Sequence, residues 1–262
     1  MKKIAVISGA SSGIGLSTAV LFAENDYTVY SLSRSKPEDN RIKHITTDVS
    51  SEESVRSAIE AVVSTEGKID LLVNNSGYGI SGAVELTELS EVKRLFETNF
   101  LGTLACIKYV LPHMRAAGSG RIITVSSVAA VLPVPYQSFY SCTKSSINSL
   151  MLSLANEVKP FGIKVSVVMP GDVKTGFTTS RKKNNISESA YSKSEERAVS
   201  RMEKDEQNGM PPEKVARCIF RAAIKKHPKV LYTVGFVYKL FVVLSKLLPI
   251  GLVNKIEGKM YS

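Results

Sequence analysis

The sequence IAVISGASSGIG, residues 4–15, decides the fold because it joins a short apolar run to a glycine-rich turn. The apolar run, residues 4–7, contains β-branched side chains and predicts a buried strand. Beyond the turn, apolar residues recur with helical spacing at Leu16, Ala19, Val20, Phe22 and Ala23. Glycines let such a turn approach a pyrophosphate closely, while the helix offers its amides and its positive end. The stretch therefore predicts a nucleotide-binding strand, turn and helix, although its G-x-x-x-G-x-G spacing differs from the common dinucleotide fingerprint.

The size and the cysteine content of the chain predict a single domain, residues 1–262, in a reducing compartment. No linker rich in Pro, Gly or Ser and no internal repeat divides the 262 residues. The three cysteines, Cys106, Cys142 and Cys218, are scattered, and the three histidines are equally dispersed, so we expect neither disulfides nor a metal site. The chain enters its first strand after three residues, which leaves no room for a signal-peptide core and favours a cytoplasmic location.

The net charge of +10 indicates an anionic partner, and nucleic acid, a membrane surface and acidic ligands are the classes to weigh. Much of the basic excess lies in the second half, in residues 181–183, 225–226 and 229–259. Aromatic residues are not interleaved with these groups as a base-stacking platform requires. We therefore expect no nucleic-acid partner.

A second informative stretch contains Ser127 at the end of a predicted strand and, thirteen residues later, Tyr140 followed by Lys144. A tyrosine and a lysine four residues apart share one face of a helix. A nearby cation favours the phenolate, so the pair predicts a tyrosine that exchanges protons near neutral pH. For these residues alone, an accidental pair on a surface helix is the alternative.

Together, these motifs and three others resemble the short-chain dehydrogenase/reductase family over nearly the whole chain. The matching features, in the family's order and spacing, are Gly9-x-x-x-Gly13-Ile14-Gly15, Asn74-Asn75-Ser76-Gly77, Asn99, Ser127, Tyr140-x-x-x-Lys144 and Pro170-Gly171. Ser8 replaces the usual Thr and Ser76 the usual Ala, and neither change removes a needed group. The resemblance implies an α/β single-domain Rossmann fold, with helices on both faces of a parallel seven-stranded sheet of order 3-2-1-4-5-6-7.

The resemblance also assigns roles to residues. Tyr140 is expected to exchange the proton, Ser127 to hold the substrate oxygen, and Lys144 to lower the tyrosine pKa while binding the nicotinamide ribose. Asn99 is expected to hold a water molecule on Lys144 and complete the catalytic set. The expected cofactor-binding residues are Gly9, Ser11, Ser12, Gly13, Ile14, Gly15, Arg34, Asp48, Val49, Asn75, Gly77, Tyr140, Lys144, Pro170, Gly171, Val173 and Thr175.

The end of the second predicted strand favours NADP(H) over NAD(H). An NAD site needs a carboxylate near this position for the ribose 2′-hydroxyl, whereas an arginine suits a 2′-phosphate. Arg34 stands there, and the nearest carboxylate onward is Glu38. The alternative is that Arg34 is a solvated loop cation, because the glycine turn carries no second basic residue.

For two of these site residues, Asp48 and Asn99, a purely structural role is the alternative to a role in the site. The resemblance places Asp48 beside the adenine, but an aspartate at the end of a strand also suits a cap for the next helix. Asn99 lies within a helix predicted over residues 88–114, and without the resemblance it is simply a polar helix residue.

The substrate side is predicted from three segments. Residues 128–137 are mostly apolar, which suits a hydrophobic substrate and, equally, core packing. Residues 176–209 are long and polar, typical of a substrate lid or of a disordered insertion. Residues 235–262 are hydrophobic and basic, but Lys239, Lys246 and Pro249 leave no run of the ~20 apolar residues that span a bilayer.

The C-terminal segment therefore has two interpretations. It either makes a peripheral membrane contact or, as we favour, forms a helix that completes the substrate pocket or a subunit contact. Its resemblance to the hydroxysteroid and retinol dehydrogenase branches is weaker than that of the catalytic motifs. The resemblance to the family also implies a homodimer or homotetramer.

The predicted function is NADP(H)-dependent interconversion of a hydrophobic ketone and a secondary alcohol, with a steroid, retinoid or other lipid as substrate. The first alternative is 3-oxoacyl-carrier-protein reduction, in which the basic segments bind an acidic carrier. The second is a nucleotide-binding regulatory protein without catalysis, against which the complete catalytic set argues.

Overall fold

The computed structural model describes residues 2–183 and 189–261 and contains a central parallel sheet. Its strands, in chain order, are β1 (Lys3–Ser8), β2 (Tyr27–Ser33), β3 (Lys43–Thr46), β4 (Leu71–Asn74), β5 (Ile80–Ser81), β6 (Gly120–Val125), β7 (Ile163–Pro170), β8 (Lys182–Lys183) and β9 (Leu231–Val234). Seven strands form the main sheet in the order β3-β2-β1-β4-β6-β7-β9, whereas the short β5 and β8 pair separately. Without these two short strands the order is the predicted 3-2-1-4-5-6-7. The predicted Rossmann fold is therefore confirmed.

Helices cover both faces of the sheet. They are α1 (Gly13–Glu24), α2 (Glu52–Glu66), α3 (Leu89–Phe96), α4 (Gly102–Ala116), α5 (Ser138–Glu157), α6 (Phe177–Ser180), α7 (Ser192–Gln207), α8 (Pro212–Ile224), α9 (Phe236–Leu247) and α10 (Ile250–Tyr261). Side chains of α2, α4 and α5 share one buried core with the sheet, and those of α1 and α8 share the other. Because both faces are covered, the central strands are apolar nearly throughout, as β4 and β7 illustrate.

The region predicted as one helix over residues 88–114 is helical without a gap from Leu89 to Ala116, but its hydrogen bonding changes in the middle. A π-helical turn, Glu97–Leu101, separates α3 from α4. Gly102, the first residue of α4, packs against the backbone of Val49. A Cβ added to Gly102 would lie 2.7 Å from the Val49 carbonyl oxygen. This close packing is a long-range contact, which the continuous apolar periodicity of the segment does not reveal.

The segment predicted as a lid, residues 176–209, contains more regular structure than its sequence suggests. It carries α6, the short β8 and the sixteen-residue α7. Residues 184–188 of this segment lie outside the described residues. The buried positions Ala198, Val199 and Met202 attach α7 to the rest of the chain. The function of the segment as a lid stays a prediction.

The C-terminal segment forms two helices, α9 and α10, each with a single buried apolar side chain, Val242 and Val253. Within residues 2–183 and 189–261, no helix combines the length and the apolarity that crossing a membrane would demand.

Candidate active site

The carboxyl ends of the strands open into one cavity of about 1730 Å³. It brings together sixteen of the seventeen expected cofactor-binding residues, with Gly15 as the exception, and three of the four expected catalytic residues, with Asn99 as the exception. In an open α/β sheet this edge is where ligands bind. The structure therefore places nearly all predicted site residues around a single space.

The glycine-rich turn between β1 and α1 has no room for side chains at two positions. Gly9 has a φ of +66°, and an added Cβ would lie 2.9 Å from the Cα of Ser76. At Gly15 an added Cβ would lie 2.1 Å from the carbonyl oxygen of Gly9. The turn therefore presents backbone without side chains at the N-terminus of α1. Such a surface fits the pyrophosphate of a dinucleotide.

The turn is joined to the end of β4 by hydrogen bonds from the neighbouring loop. The Ser8 hydroxyl accepts from the backbone N–H groups of Asn75 at 3.0 Å and Ser76 at 3.1 Å. Nδ2 of Asn75 donates to the Gly9 carbonyl oxygen at 3.0 Å. Ser8 therefore supplies a hydroxyl that joins the turn to the loop after β4, as the expectation for this replacement requires.

Arg34 and Asp48 lie at the other end of the cavity, after β2 and β3. The Asp48 carboxylate accepts hydrogen bonds from both the backbone and the hydroxyl of Ser50, at 3.0 and 2.7 Å. These bonds, together with the charge of Arg34, lower the pKa of Asp48. Asp48 is not the cap of the next helix, because Ser51 occupies that position and accepts from the Ser54 N–H at 3.3 Å. The carboxylate and the exposed guanidinium both line the cavity.

Tyr140 and Lys144 lie one turn apart on α5, and the Lys144 Nζ is 5.6 Å from the centre of the Tyr140 ring. Nζ donates to the carbonyl oxygen of Val125 at 3.0 Å. From the end of β6, Ser126 donates its hydroxyl to the Lys144 carbonyl oxygen at 3.2 Å. These two bonds fix α5 against β6 at the point where Ser127 enters the cavity.

The protonation of the pair follows from burial. Burial raises the pKa of the Tyr140 phenol to about 12, although the Ser127 hydroxyl acts in the opposite direction. Burial also lowers the pKa of the Lys144 ammonium to about 8. Burial is the largest cause of the raised tyrosine pKa, and the Lys144 Nζ bonds to a carbonyl oxygen and not to the phenol. The expectation that Lys144 lowers the pKa of Tyr140 stays a prediction. A phenol that holds its proton at neutral pH has the form a general acid requires.

Asn99 occupies the π-helical turn and is completely buried. Its Oδ1 accepts from the Tyr78 N–H, and its Nδ2 donates to the Tyr78 carbonyl oxygen, both at 3.0 Å. Nδ2 also lies 3.2 Å from the Thr143 hydroxyl on α5. The Asn99 side chain therefore attaches the loop after β4 to α5, and its role toward a water on Lys144 stays a prediction.

An aromatic ring and a buried ion pair lie beside Tyr140, and no sequence pattern indicates them. The Phe177 ring lies 5.5 Å from the Tyr140 ring, and the Arg181 guanidinium lies 5.7 Å from the Phe177 ring. Arg181 forms a buried ion pair with Glu206 on α7. With its amide oxygen turned toward Arg181, Gln137 accepts two further bonds at 2.9 and 3.0 Å. The predicted lid segment is thus attached to the loop that precedes Tyr140.

The C-terminal helix α9 also contributes to the wall of the cavity. The Tyr238 hydroxyl donates to the Asp172 carboxylate, and the Tyr238 ring covers Gly171, where an added Cβ would lie 2.3 Å from the ring. Burial raises the pKa of Asp172. The segment thus helps to form the pocket, as the favoured interpretation of the sequence expected.

Comparisons with known proteins agree with this site. The short chain dehydrogenase family profile matches residues 3–186. The chain is 42% identical over 240 residues to a 3-ketodihydrosphingosine reductase of Bacteroides thetaiotaomicron, covering 89% of this chain and 88% of that protein. Among solved structures, ElxO with NADP bound is 28% identical with a TM-score of 0.75, covering 92% of this chain and 100% of that chain. A 3-ketoacyl-(acyl-carrier-protein) reductase of Brucella melitensis complexed with NADH is 26% identical with a TM-score of 0.75, covering 88% and 96%. The chain therefore belongs to the short-chain dehydrogenase/reductase family of oxidoreductases.

Proposed function

We propose that the chain reduces the keto group of a long-chain lipid to a secondary alcohol with NADPH. The observation that carries the proposal is the continuity of one cavity from Tyr140 to the apolar side chains of α9 and α10, including Phe241, Leu244 and Ile256. Such a wall matches an alkyl chain. The relative named as a 3-ketodihydrosphingosine reductase supports a substrate of the sphingoid type.

In this mechanism the chain positions the ketone and protonates its oxygen. The nicotinamide cofactor, when bound, supplies a hydride to the carbonyl carbon. The Ser127 hydroxyl holds the carbonyl oxygen, and Tyr140 donates its phenolic proton to that oxygen as the alcohol forms. The Lys144 ammonium binds the ribose and balances the charge that remains on the tyrosine. Burial raises the pKa of Tyr140 to about 12, so the phenol carries the proton that reduction requires at neutral pH.

The polar end of the substrate is proposed to carry an amine. Asp172 lines the same cavity as Tyr140 and accepts a hydrogen bond from the Tyr238 hydroxyl. A carboxylate in this position suits an ammonium group next to the ketone. This feature favours an amino ketone over the steroid or retinoid substrates that the sequence also suggested.

The proposal is tested with a panel of ketones and purified protein, following NADPH and NADH oxidation by absorbance. We expect the highest kcat/KM for a long-chain 2-amino-3-ketone, a lower value for the same chain without the amine, and low values for decalone- and steroid-like ketones. Faster reduction of acetoacetyl thioesters would instead favour the 3-oxoacyl-carrier-protein reductase. Absence of oxidation with every ketone would favour the regulatory alternative.

The use of NADPH is proposed from Arg34, which lines the cavity without a neighbouring carboxylate on β2. Replacing Arg34 by Ala is expected to raise the KM for NADPH by about 10- to 100-fold, because the variant loses one hydrogen bond to a charged phosphate. The KM for NADH is expected to stay nearly unchanged. Lys36→Ala is the matched control, because Lys36 is an exposed cation two residues away that does not line the cavity. An unchanged NADPH to NADH ratio in Arg34→Ala would assign the guanidinium to the solvated loop instead.

We also propose that the protein works in the cytoplasm as a homodimer or homotetramer with a peripheral membrane contact through its C-terminal segment. The free cysteines support the cytoplasmic location, and the basic charge of that segment supports the membrane contact. The homo-oligomer is proposed from the family to which the chain belongs.

A further inference from the structure

The C-terminal helices carry a concentration of exposed apolar side chains. Of the eighteen large apolar residues exposed in the described part of the chain, eleven lie on α9 and α10. Phe236, Leu247 and Ile250 are 82%, 74% and 78% exposed. We call the outward side of these two helices the apolar surface. Contiguous exposed apolar area of this kind marks an interaction site.

Charge indicates which partner fits the apolar surface. Residues 236–261 contain four lysines, Lys239, Lys246, Lys255 and Lys259, and a single acidic residue, Glu257. Burial raises the pKa of Glu257 to about 7, so this carboxyl is readily neutralised. Apolar side chains combined with lysines are the composition of helices that lie in the interface of an anionic bilayer. Since neither helix is long enough to cross it, contact with the bilayer surface is the arrangement that fits.

The cavity that contains Tyr140 opens on the same surface. Phe241, Leu244, Ile256 and Met260 line the cavity and are also between 37% and 45% exposed, so they form its rim. At the inner end, Tyr238 of α9 contacts Gly171 and Asp172 beside the reaction centre. Apolar side chains of α9 and α10 thus line the same cavity as the catalytic residues Ser127, Tyr140 and Lys144.

We infer that α9 and α10 dock on the surface of an anionic lipid bilayer, and that the lipid substrate enters the cavity from this bilayer through the rim formed by both helices. The docking removes exposed apolar side chains from water, and the lysines meet anionic headgroups. An alkyl chain passes from the bilayer into the cavity while it remains in apolar surroundings. The entry of substrate rests on the proposed lipid-ketone function, whereas the docking does not.

The test of docking is co-sedimentation with vesicles. The wild-type protein is expected to sediment with vesicles of phosphatidylglycerol and phosphatidylcholine, and less with phosphatidylcholine alone. The variant Leu247→Glu/Ile250→Glu, altered at two of the most exposed positions outside the cavity lining, is expected to lose binding by at least ~10-fold. The control Leu89→Glu/Ile224→Glu changes exposed apolar residues on α3 and α8, 72% and 53% exposed, and is expected to bind like the wild type.

Three results would overturn the docking: no binding of wild type to anionic vesicles, equal binding by the Leu247→Glu/Ile250→Glu variant, or equal loss in the control. Light scattering in the absence of lipid adds a further check. If the wild type does not bind vesicles and the Leu247→Glu/Ile250→Glu variant forms smaller assemblies, the apolar surface is a contact between two copies of this chain.

The entry route is tested by presenting the long-chain ketone in anionic vesicles and, separately, a short water-soluble ketone in buffer. The Leu247→Glu/Ile250→Glu variant is expected to lose at least ~10-fold in turnover of the vesicle substrate and to keep its turnover of the soluble one. Unchanged turnover of both substrates with lost vesicle binding would overturn the entry route. If no protein reduces any ketone, the proposed function fails, while the sedimentation result still decides the docking.

Discussion

The variant Tyr140→Phe is expected to lose ketone reduction by about 10²- to 10⁴-fold in kcat while it still binds NADPH. The phenol is the proton donor in the proposed mechanism, and burial raises its pKa to about 12, so it is protonated throughout the neutral range. Phenylalanine preserves the ring that packs against Phe177 and removes only the hydroxyl. Stopped-flow measurement of NADPH oxidation gives the rate, and quenching of protein fluorescence gives the affinity for the cofactor.

The matched control for this variant is Tyr136→Phe. Tyr136 lies in the loop just before α5, hydrogen-bonds through its hydroxyl to Ser194 at 2.7 Å, and does not line the catalytic cavity. Its replacement removes a phenolic hydroxyl from the same region without touching the proposed proton path, and full turnover is expected. A folded Tyr140→Phe protein with wild-type turnover would show that another group supplies the proton.

The features that sequence predicted well are those set by local spacing. The glycine turn at Gly9 and the pair of Tyr140 and Lys144 depend on residues close in the chain, where backbone geometry fixes which groups meet. The parallel sheet order followed from the resemblance to the family. The helix predicted over residues 88–114 is present, but its spacing did not reveal the π-helical turn at Glu97–Leu101. The contacts at this turn, of Gly102 with Val49 and of Asn99 with Tyr78, join residues far apart in sequence.

The protonation of the site is a second feature that spacing did not predict. The lysine four residues after Tyr140 predicts a lowered phenol pKa, and this stays a prediction. Burial, which spacing does not show, favours the neutral form of both groups by raising the pKa of Tyr140 and lowering that of Lys144. Part of the burial of Tyr140 comes from Phe177, in the segment that the sequence indicated as a substrate lid or a disordered insertion. Charged residues such as Arg181 and Glu206 look like surface residues in a sequence until their partners are known.

The ion pair between Arg181 and Glu206 leads to a prediction about stability. The Arg181 side chain is fully buried, contacts the Phe177 ring and bonds to Gln137 as well as Glu206. Replacing Arg181 by Met leaves a buried carboxylate without its cation, which is expected to lower the free energy of unfolding by about 3–5 kcal/mol near neutral pH. Urea denaturation followed by circular dichroism measures the change.

The control is the double variant Arg181→Met/Glu206→Gln. The Thr178 hydroxyl donates to the Glu206 carboxylate at 2.7 Å, and the amide introduced at position 206 still offers it an oxygen. We expect the double variant to recover most of the lost stability, because no uncompensated charge remains.

The pH dependence of the single variant gives an independent check. Burial already raises the pKa of Glu206, and removing Arg181 is expected to raise it further, so the folded state of Arg181→Met binds a proton that the unfolded state releases. The free energy of unfolding of Arg181→Met should therefore be highest at pH values below the pKa that Glu206 has in the unfolded chain. It should fall as the pH rises through the higher pKa that Glu206 has in the folded protein. The deficit relative to wild type should shrink on acidification for this reason. The loss of stability could also be the same at acidic and neutral pH and persist in the double variant. That result would show that Arg181 stabilises the segment of residues 176–209 through packing on Phe177 and not through its charge.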